Sequence, residues 1–220
     1  MRRQSVRWIL PFLSATATLA GCSGHHHSQV QTAPEPATSG MTRARADSVR
    51  HPYVQADVDF MSHMIGHHAQ ALVMAGWAPS HDSSPQVQTL AGRIINGQQD
   101  EIATMQRWLR DRGKPVPDAT PGAMKMKMGG MEHGMLMPGM LTQEQMKDLD
   151  QARGPEFDRK FLTYMIQHHK GAVSMVQDLF ATNGAAQDET VFKFANDVSV
   201  DQTTEINRMQ RMLDSLPATQ

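Results

Sequence analysis

The sequence predicts an all-α protein, a four-helix bundle made of two repeated helical hairpins with approximate two-fold symmetry. Two observations carry that expectation. Between residues 51 and 216, apolar side chains recur at helical spacing in four long stretches separated by Pro, Gly and Ser. The stretches are also pairwise copies. A shift of 101 residues superposes Asp57, Phe60, Met64, Ile65, His67, His68, Ala71 and Met74 on Asp158, Phe161, Met165, Ile166, His168, His169, Ala172 and Met175. A shift of 104 superposes Val87, Ala91, Gln98, Glu101, Ile102, Met105, Gln106, Arg107 and Leu109 on Val191, Ala195, Gln202, Glu205, Ile206, Met209, Gln210, Arg211 and Leu213. Neither hairpin can bury its apolar stripe alone, so the two are expected to pack together.

The elements follow in chain order. Residues 1–21 read as a signal peptide: Arg2, Arg3 and Arg7 precede an apolar stretch, Trp8 to Ala20, that is too short to span a bilayer comfortably. It ends in "LAGC", which resembles a bacterial lipobox and implies cleavage before an acylated Cys22. Ser23 after that cysteine, by resemblance to such lipoproteins, implies the periplasmic face of the outer membrane rather than the inner. Cys22 is the one cysteine of the chain, which excludes an internal disulfide. Residues 22–50, rich in Ser, Gly, Pro and Thr, read as a flexible tether in which His25 to His27 are solvated.

Hairpin 1 is expected over about 52–113, with Pro52 in the first turn of its first helix and a stop before Pro79. Ser84 and Pro85 form an N-cap and first-turn pair for the second helix, which Gly113 ends. A linker spans 114–141. Thr142 and Gln145 make a capping box for a short helix over 142–153. Hairpin 2 is expected over about 155–216, beginning near Pro155 and ending before Pro217.

At about 100° per residue, Phe60, Met64 and Ala71 centre the stripe of the first helix, and His67 and His68 flank it. Met64 lies one turn before both rings. On the second helix Gln98, Glu101 and Met105 occupy the middle of the stripe, where a bundle ordinarily holds aliphatics. Left without partners, each polar group there costs about 1 to 3 kcal/mol. Two arrangements satisfy them: hydrogen bonds across the bundle that specify its pairing, or imidazole, thioether and carboxylate converging on a cation. The composition leans toward metal handling, with 18 Met and 11 His, since both side chains bind soft or borderline metals. An imidazole site of this kind is expected to weaken as pH falls through about 6.5.

The stretches "DFMSHMIGHHAQALVMA", "QQDEIATMQRWL", "MPGMLTQEQMKDL", "FDRKFLTYMIQHHKGAVSM" and "DQTTEINRMQRML" resemble the family called domain of unknown function 305. The resemblance runs from about Tyr53 to Leu213. It implies a ferritin-like helical bundle and, for some members, periplasmic copper handling. Carried over by residue, it places the family's histidine pairs at His67, His68, His168 and His169, and its helix methionines at Met64, Met74, Met165 and Met175. Glu101, Met105, Glu205 and Met209 complete the candidate set. The copies differ at Ala75 against Val176 and at Trp108 against Met212, so the halves need not bind equally.

The linker holds "MKMKMGGMEHGMLMPGM": Met124, Met126, Met128, Met131, Met135, Met137 and Met140, with His133. Interleaved Gly and Lys argue against a core helix, so these thioethers read as a flexible cluster for Cu(I). The expected function is therefore an envelope-anchored copper-binding protein for storage, resistance or trafficking, with copper, as Cu(I) or Ag(I)-like soft ion, as cargo. Such a role calls for a metal ion, the membrane through Cys22, and a copper chaperone or efflux protein as partners. Net charge −1 gives no electrostatic footprint for nucleic acid. No catalytic motif is found. A di-iron oxidase, the first alternative, needs Glu-x-x-His on two helices, which the chain lacks. A metal-free interaction bundle is the second.

Overall fold

Helix α2, Gln55–Gly76, stops at Trp77 because Pro79 disfavours helical backbone in the residue before it. Ala78–Ser80 form a 3-10 turn, and α3 then runs over Pro85–Asp111, capped by the Ser84 hydroxyl accepting from the Val87 N–H. Helix α4, Gln143–Gln151, carries both bonds of the Thr142/Gln145 capping box. Helices α5, Gly154–Ala181, and α6, Glu189–Ser215, form the second hairpin, with Asp188 capping α6. The computed structural model describes residues 38–50, 52–121, 124–128 and 131–217, with 124–128 and 131–135 described by backbone alone.

The bundle is all-α with the expected two-fold. Helices α2 and α3 pack together, as do α5 and α6, and the hairpins meet along α2 and α5. Val58 and Phe60 near the start of α2 share a core cluster with Val176 and Leu179 near the end of α5, so the two run antiparallel. Two apolar clusters fill the bundle. One joins Phe60, Met61, Met64, Ile102, Met105, Trp108, Val191 and Phe194; the other joins Met74, Leu90, Ile94, Phe157, Phe161, Met165 and Met209. Each fully buried side chain of this size contributes about 1.5 to 3 kcal/mol. The chain leaves α3 at the first cluster and enters α5 at the second, so the segment between them crosses the length of the bundle.

Three expectations need correction. The tether reading of 22–50 fails over its last part, since Thr38–Arg50 form helix α1, with Ala44 buried and Gly40 against the Asp111 side chain. Residues 1–21, Cys22 and the tether up to 37 lie outside the described residues. The Met-rich linker is not a structureless loop: β1, Met124–Met128, pairs antiparallel with β2, Met131–Met135, in the register Met128 to Met131. Alternating Met and Lys followed by Gly-Gly is a hairpin pattern that the Gly content hid. Met137 and Met140 are buried, at 3% and 5% exposure, rather than free. The first helix also begins at Gln55, leaving Pro52 outside it.

Reciprocal carboxylates lock the hairpins. Asp57 on α2 accepts from the Ala186 N–H in the α5–α6 turn at 2.7 Å, and Asp158 on α5 accepts from the Ser84 N–H in the α2–α3 turn at 3.1 and 3.2 Å. Both carboxylates are buried. Asp82 and Ala186, at matching places in the two turns, share a positive φ of 52° and 54°. Asp57→Ala and Asp158→Ala should each lower stability by about 1 to 3 kcal/mol, by leaving a buried N–H unpaired. Urea unfolding should show comparable losses for both, and a cost confined to one would contradict reciprocal locking.

Candidate metal centre

Between the two apolar clusters lies a polar layer. His67, His68, His168 and His169 are all fully buried there. Consecutive histidines on a helix point about 100° apart, so each pair sends one ring toward the opposite hairpin and one toward its own second helix. The inward rings of His67 and His168 meet with centroids 3.9 Å apart. The others reach the partner helix: His68 Nε2 lies 2.6 Å from Glu101 Oε2, and His169 Nε2 lies 2.6 Å from Glu205 Oε2.

The inward rings bond backbone carbonyls. His67 Nε2 donates to Pro138 O at 3.0 Å, and His168 Nε2 donates to His67 O at 3.0 Å. A carbonyl can only accept, which fixes the proton on Nε2 of each neutral ring and leaves the lone pair on Nδ1. Among the described residues, the buried Nδ1 of His67, His68, His168 and His169 has no hydrogen-bond partner in any case. This donor pattern, one ring nitrogen held by an acceptor and the other bare, is that of metal-ligating histidine.

Burial and the charge of neighbouring rings oppose protonation. Desolvation first, then His68, lower the His67 pKa to about 3 against the pull of the Pro138 carbonyl, with His169 adding a smaller depression. Desolvation, then His67, His169 and His68, hold His168 well below the ordinary imidazole range. Both rings are therefore neutral at physiological pH. At His67 and His168, therefore, protons do not compete for Nδ1 near pH 6.5, where the sequence reading placed that competition.

The helix methionines sort around the histidine layer. Met64 and Met105 are buried in the first apolar cluster with Met175 packed against it, and Met74, Met165 and Met209 are buried in the second. Glu101 and Glu205 face a cavity of about 180 Å³ between α3 and α6, and retain 20% and 27% side-chain exposure. Gln98 and Gln202 line it as well, and Nε2 and Oε1 of Gln98 and Oε1 of Gln202 find no partner among the described residues. Desolvation, then repulsion from Glu101, Asp197 and Glu205, raises the Asp201 pKa at the same opening. No three His, Cys, Asp or Glu side chains converge into a metal-holding group among the described residues. The side chains of Met124, Met126, Met128, Met131, His133 and Met135 lie outside the described residues.

Sequence reasoning missed the segment that completes the layer. Residues 137–141 cross both central helices at the level of the histidines. Gln70 binds both backbone groups of Leu141, at 2.7 and 3.0 Å, and the equivalent position on α5 is Gly171. A Cβ there would meet Pro138 O at 2.0 Å, and at Gly139 (φ 75°) it would meet Gln167 O at 2.6 Å. Glycine at 171 thus allows the Pro138 carbonyl to reach His67. The repeat comparison held the clue, since a Gln matched to a Gly breaks an otherwise regular copy.

Two outcomes follow. Gly171→Ala should displace residues 137–141 and remove the His67 acceptor, visible as a lost His67 Nε2–H proton resonance; an unchanged resonance would show that another group holds the ring. The apo protein should also lose stability as pH falls below about 6.5, the unfolded imidazole pKa, since the unfolded chain gains protons that native His67 refuses until about pH 3. The slope is about 1.4 kcal/mol per pH unit per histidine. His67→Gln keeps a donor toward Pro138 and should flatten the urea-midpoint profile between those limits; an unaltered slope would contradict the assignment.

Solved structures share this fold. CopM in its Cu(I)-bound form is 27% identical, with 74% of this chain and 98% of that chain covered and a TM-score of 0.55; its Cu(II)-bound form is 31% identical, with 72% and 95% covered and a TM-score of 0.56. CopM has also been seen with Ag bound. A DUF305 protein of Streptomyces coelicolor, described as secreted, is 28% identical over 75% of this chain and 96% of that one, with a TM-score of 0.62. No curated protein matches the sequence. The family model described as "Domain of unknown function (DUF305)" matches residues 57–213, and the chain belongs to that family.

Proposed function

We propose that this protein binds Cu(I), and soft ions like it, at the histidine layer, as an envelope protein that holds copper rather than transforming it. The observation that carries the reading is the set of four buried Nδ1 atoms with no hydrogen-bond partner among the described residues, two of which, on His67 and His168, are lone pairs because their Nε2 donates to a carbonyl. Buried lone pairs without partners are costly unless something occupies them. Neutral imidazole and thioether together select a soft, low-charge ion. Copper and silver binding by CopM supports the same reading. Glu101 and Glu205 each bond a different histidine and lie on the exposed side of it, which favours a binding role over a di-iron oxidase needing carboxylates as inward ligands.

An extracytoplasmic address, with Cys22 as lipid anchor, is part of the proposal. It is supported by the secreted relative and by the start of the sequence. Among the described residues, no helix is long and apolar enough to cross a membrane. The strand methionines, from Met124 to Met135, remain proposed as a second, weaker thioether reservoir, and a copper chaperone or efflux protein as the partner class.

Competition titration against a Cu(I) chelator tests the assignment. His67→Gln with His168→Gln should weaken the tight phase at least about tenfold, equivalent to about 1.4 kcal/mol. In the wild type that phase should hold its affinity from about pH 7 to about pH 5, because native His67 protonates only near pH 3. Unchanged affinity in the variant would mean that the histidines only organise the bundle.

A further inference from the structure

Outside the histidine layer, a cavity of about 310 Å³ opens between the first half of α2, the end of α5 and the segment after β2. Its wall carries His63, Met137 and Met175, with Asp59, Asp178 and Pro138. His63 and Met175 are partly exposed, and the His63 ring makes no hydrogen bond among the described residues. An imidazole, two thioethers and two carboxylates thus share one solvent-accessible pocket.

The two-fold relation shows that packing does not require this pocket. In the other half Tyr164 stands in place of His63, Lys160 in place of Asp59, and Met74 in place of Met175. Tyr164 Oη donates to Asp148 Oδ2 at 2.8 Å, and Lys160 Nζ donates to Asp148 Oδ1 at 2.7 Å. Met74 is fully buried. The same helical framework therefore accommodates a surface closed by hydrogen bonds in one half and an open one lined with soft donors in the other.

We infer that this cavity is a second site for a soft monovalent ion, Cu(I) or Ag(I), held by His63, Met137 and Met175, and that it loads the buried histidine layer. The inference rests on the copper-binding reading of the protein. The two sites share residues at their boundary. Pro138 walls the cavity, and its carbonyl holds the His67 ring. Met175 lines the cavity and also packs against the cluster containing Met64 and Met105. His63 precedes His67 by one helical turn, so the rings lie on one face of α2. Transfer between them exchanges neutral donors for neutral donors, with no change of oxidation state and no proton released. Asp59 and Asp178 add negative charge, which raises the local concentration of a cation at the mouth.

The test uses the full-length protein and Ag(I) or reductant-maintained Cu(I). His63→Tyr copies the residue of the closed half, and Met175→Leu keeps side-chain volume, so the pair should fold. Native mass spectrometry should show one ion fewer at saturation in the double variant. The His67 and His168 ring nitrogen resonances should reach the same final shifts as in the wild type, but at least about tenfold more slowly. Met137→Leu alone should weaken the same ion. An equal ion count in variant and wild type would overturn the second site, and a lost ion with unchanged loading rate would overturn its role as an entrance. Either result leaves wild-type binding intact, whereas a wild type that takes up no ion defeats the copper reading itself.

Discussion

Four hydrogen bonds from histidine Nε2 atoms, two to backbone carbonyls and two to glutamates, govern the architecture. They let a bundle bury four imidazoles in one layer, where an unpaired polar group would oppose folding by about 1 to 3 kcal/mol. The apolar clusters above and below supply the cohesion, while the bonds set where the hairpins meet. His168 bonds the backbone of His67, so the depth of α5 against α2 is fixed by the same rings that present lone pairs inward. The bonded nitrogen holds each ring in place, and the other nitrogen is left without a partner among the described residues.

The duplicated sequence makes a nearly symmetric bundle, and the departures from symmetry are concentrated around the layer. His67 and His168 are equivalent in sequence, yet one bonds Pro138 and the other bonds His67 itself. A single connecting segment cannot serve both halves alike. Gln70 grips it on one side and Gly171 yields to it on the other. Trp108 shows the same logic at the end of the bundle. Its Nε1 donates to Asp188, which also receives Arg112 and caps α6, whereas its counterpart Met212 has no such task. Each half thus carries a different load beneath a shared pattern.

Most of the bundle was legible from the sequence because repetition and helical spacing reinforce each other. Ser84 and Thr142 mark helix starts through local chemistry that does not depend on distant context. The candidate histidines stood out for the same reason, since adjacent polar residues interrupt a stripe. What was not legible depends on long-range contact. Nothing in "MPGM" announces that Pro138 would face His67, because Gly171, the residue that permits it, lies on another helix. The strong depression of the His67 pKa follows from complete burial beside other rings, which no spacing rule supplies. His63 was overlooked because it stands alone in sequence, and becomes notable only where α5 and the linker bring Met175 and Met137 beside it.

The central claim is that imidazole nitrogen and thioether sulfur act together on one soft ion. X-ray absorption at the copper edge, on protein loaded with a single equivalent of Cu(I), measures that first shell directly. The account predicts a mixed shell of nitrogen and sulfur, with the outer-shell scattering of imidazole rings. A shell of sulfur alone would place the ion among the linker methionines, contradicting the histidine layer as the tight site.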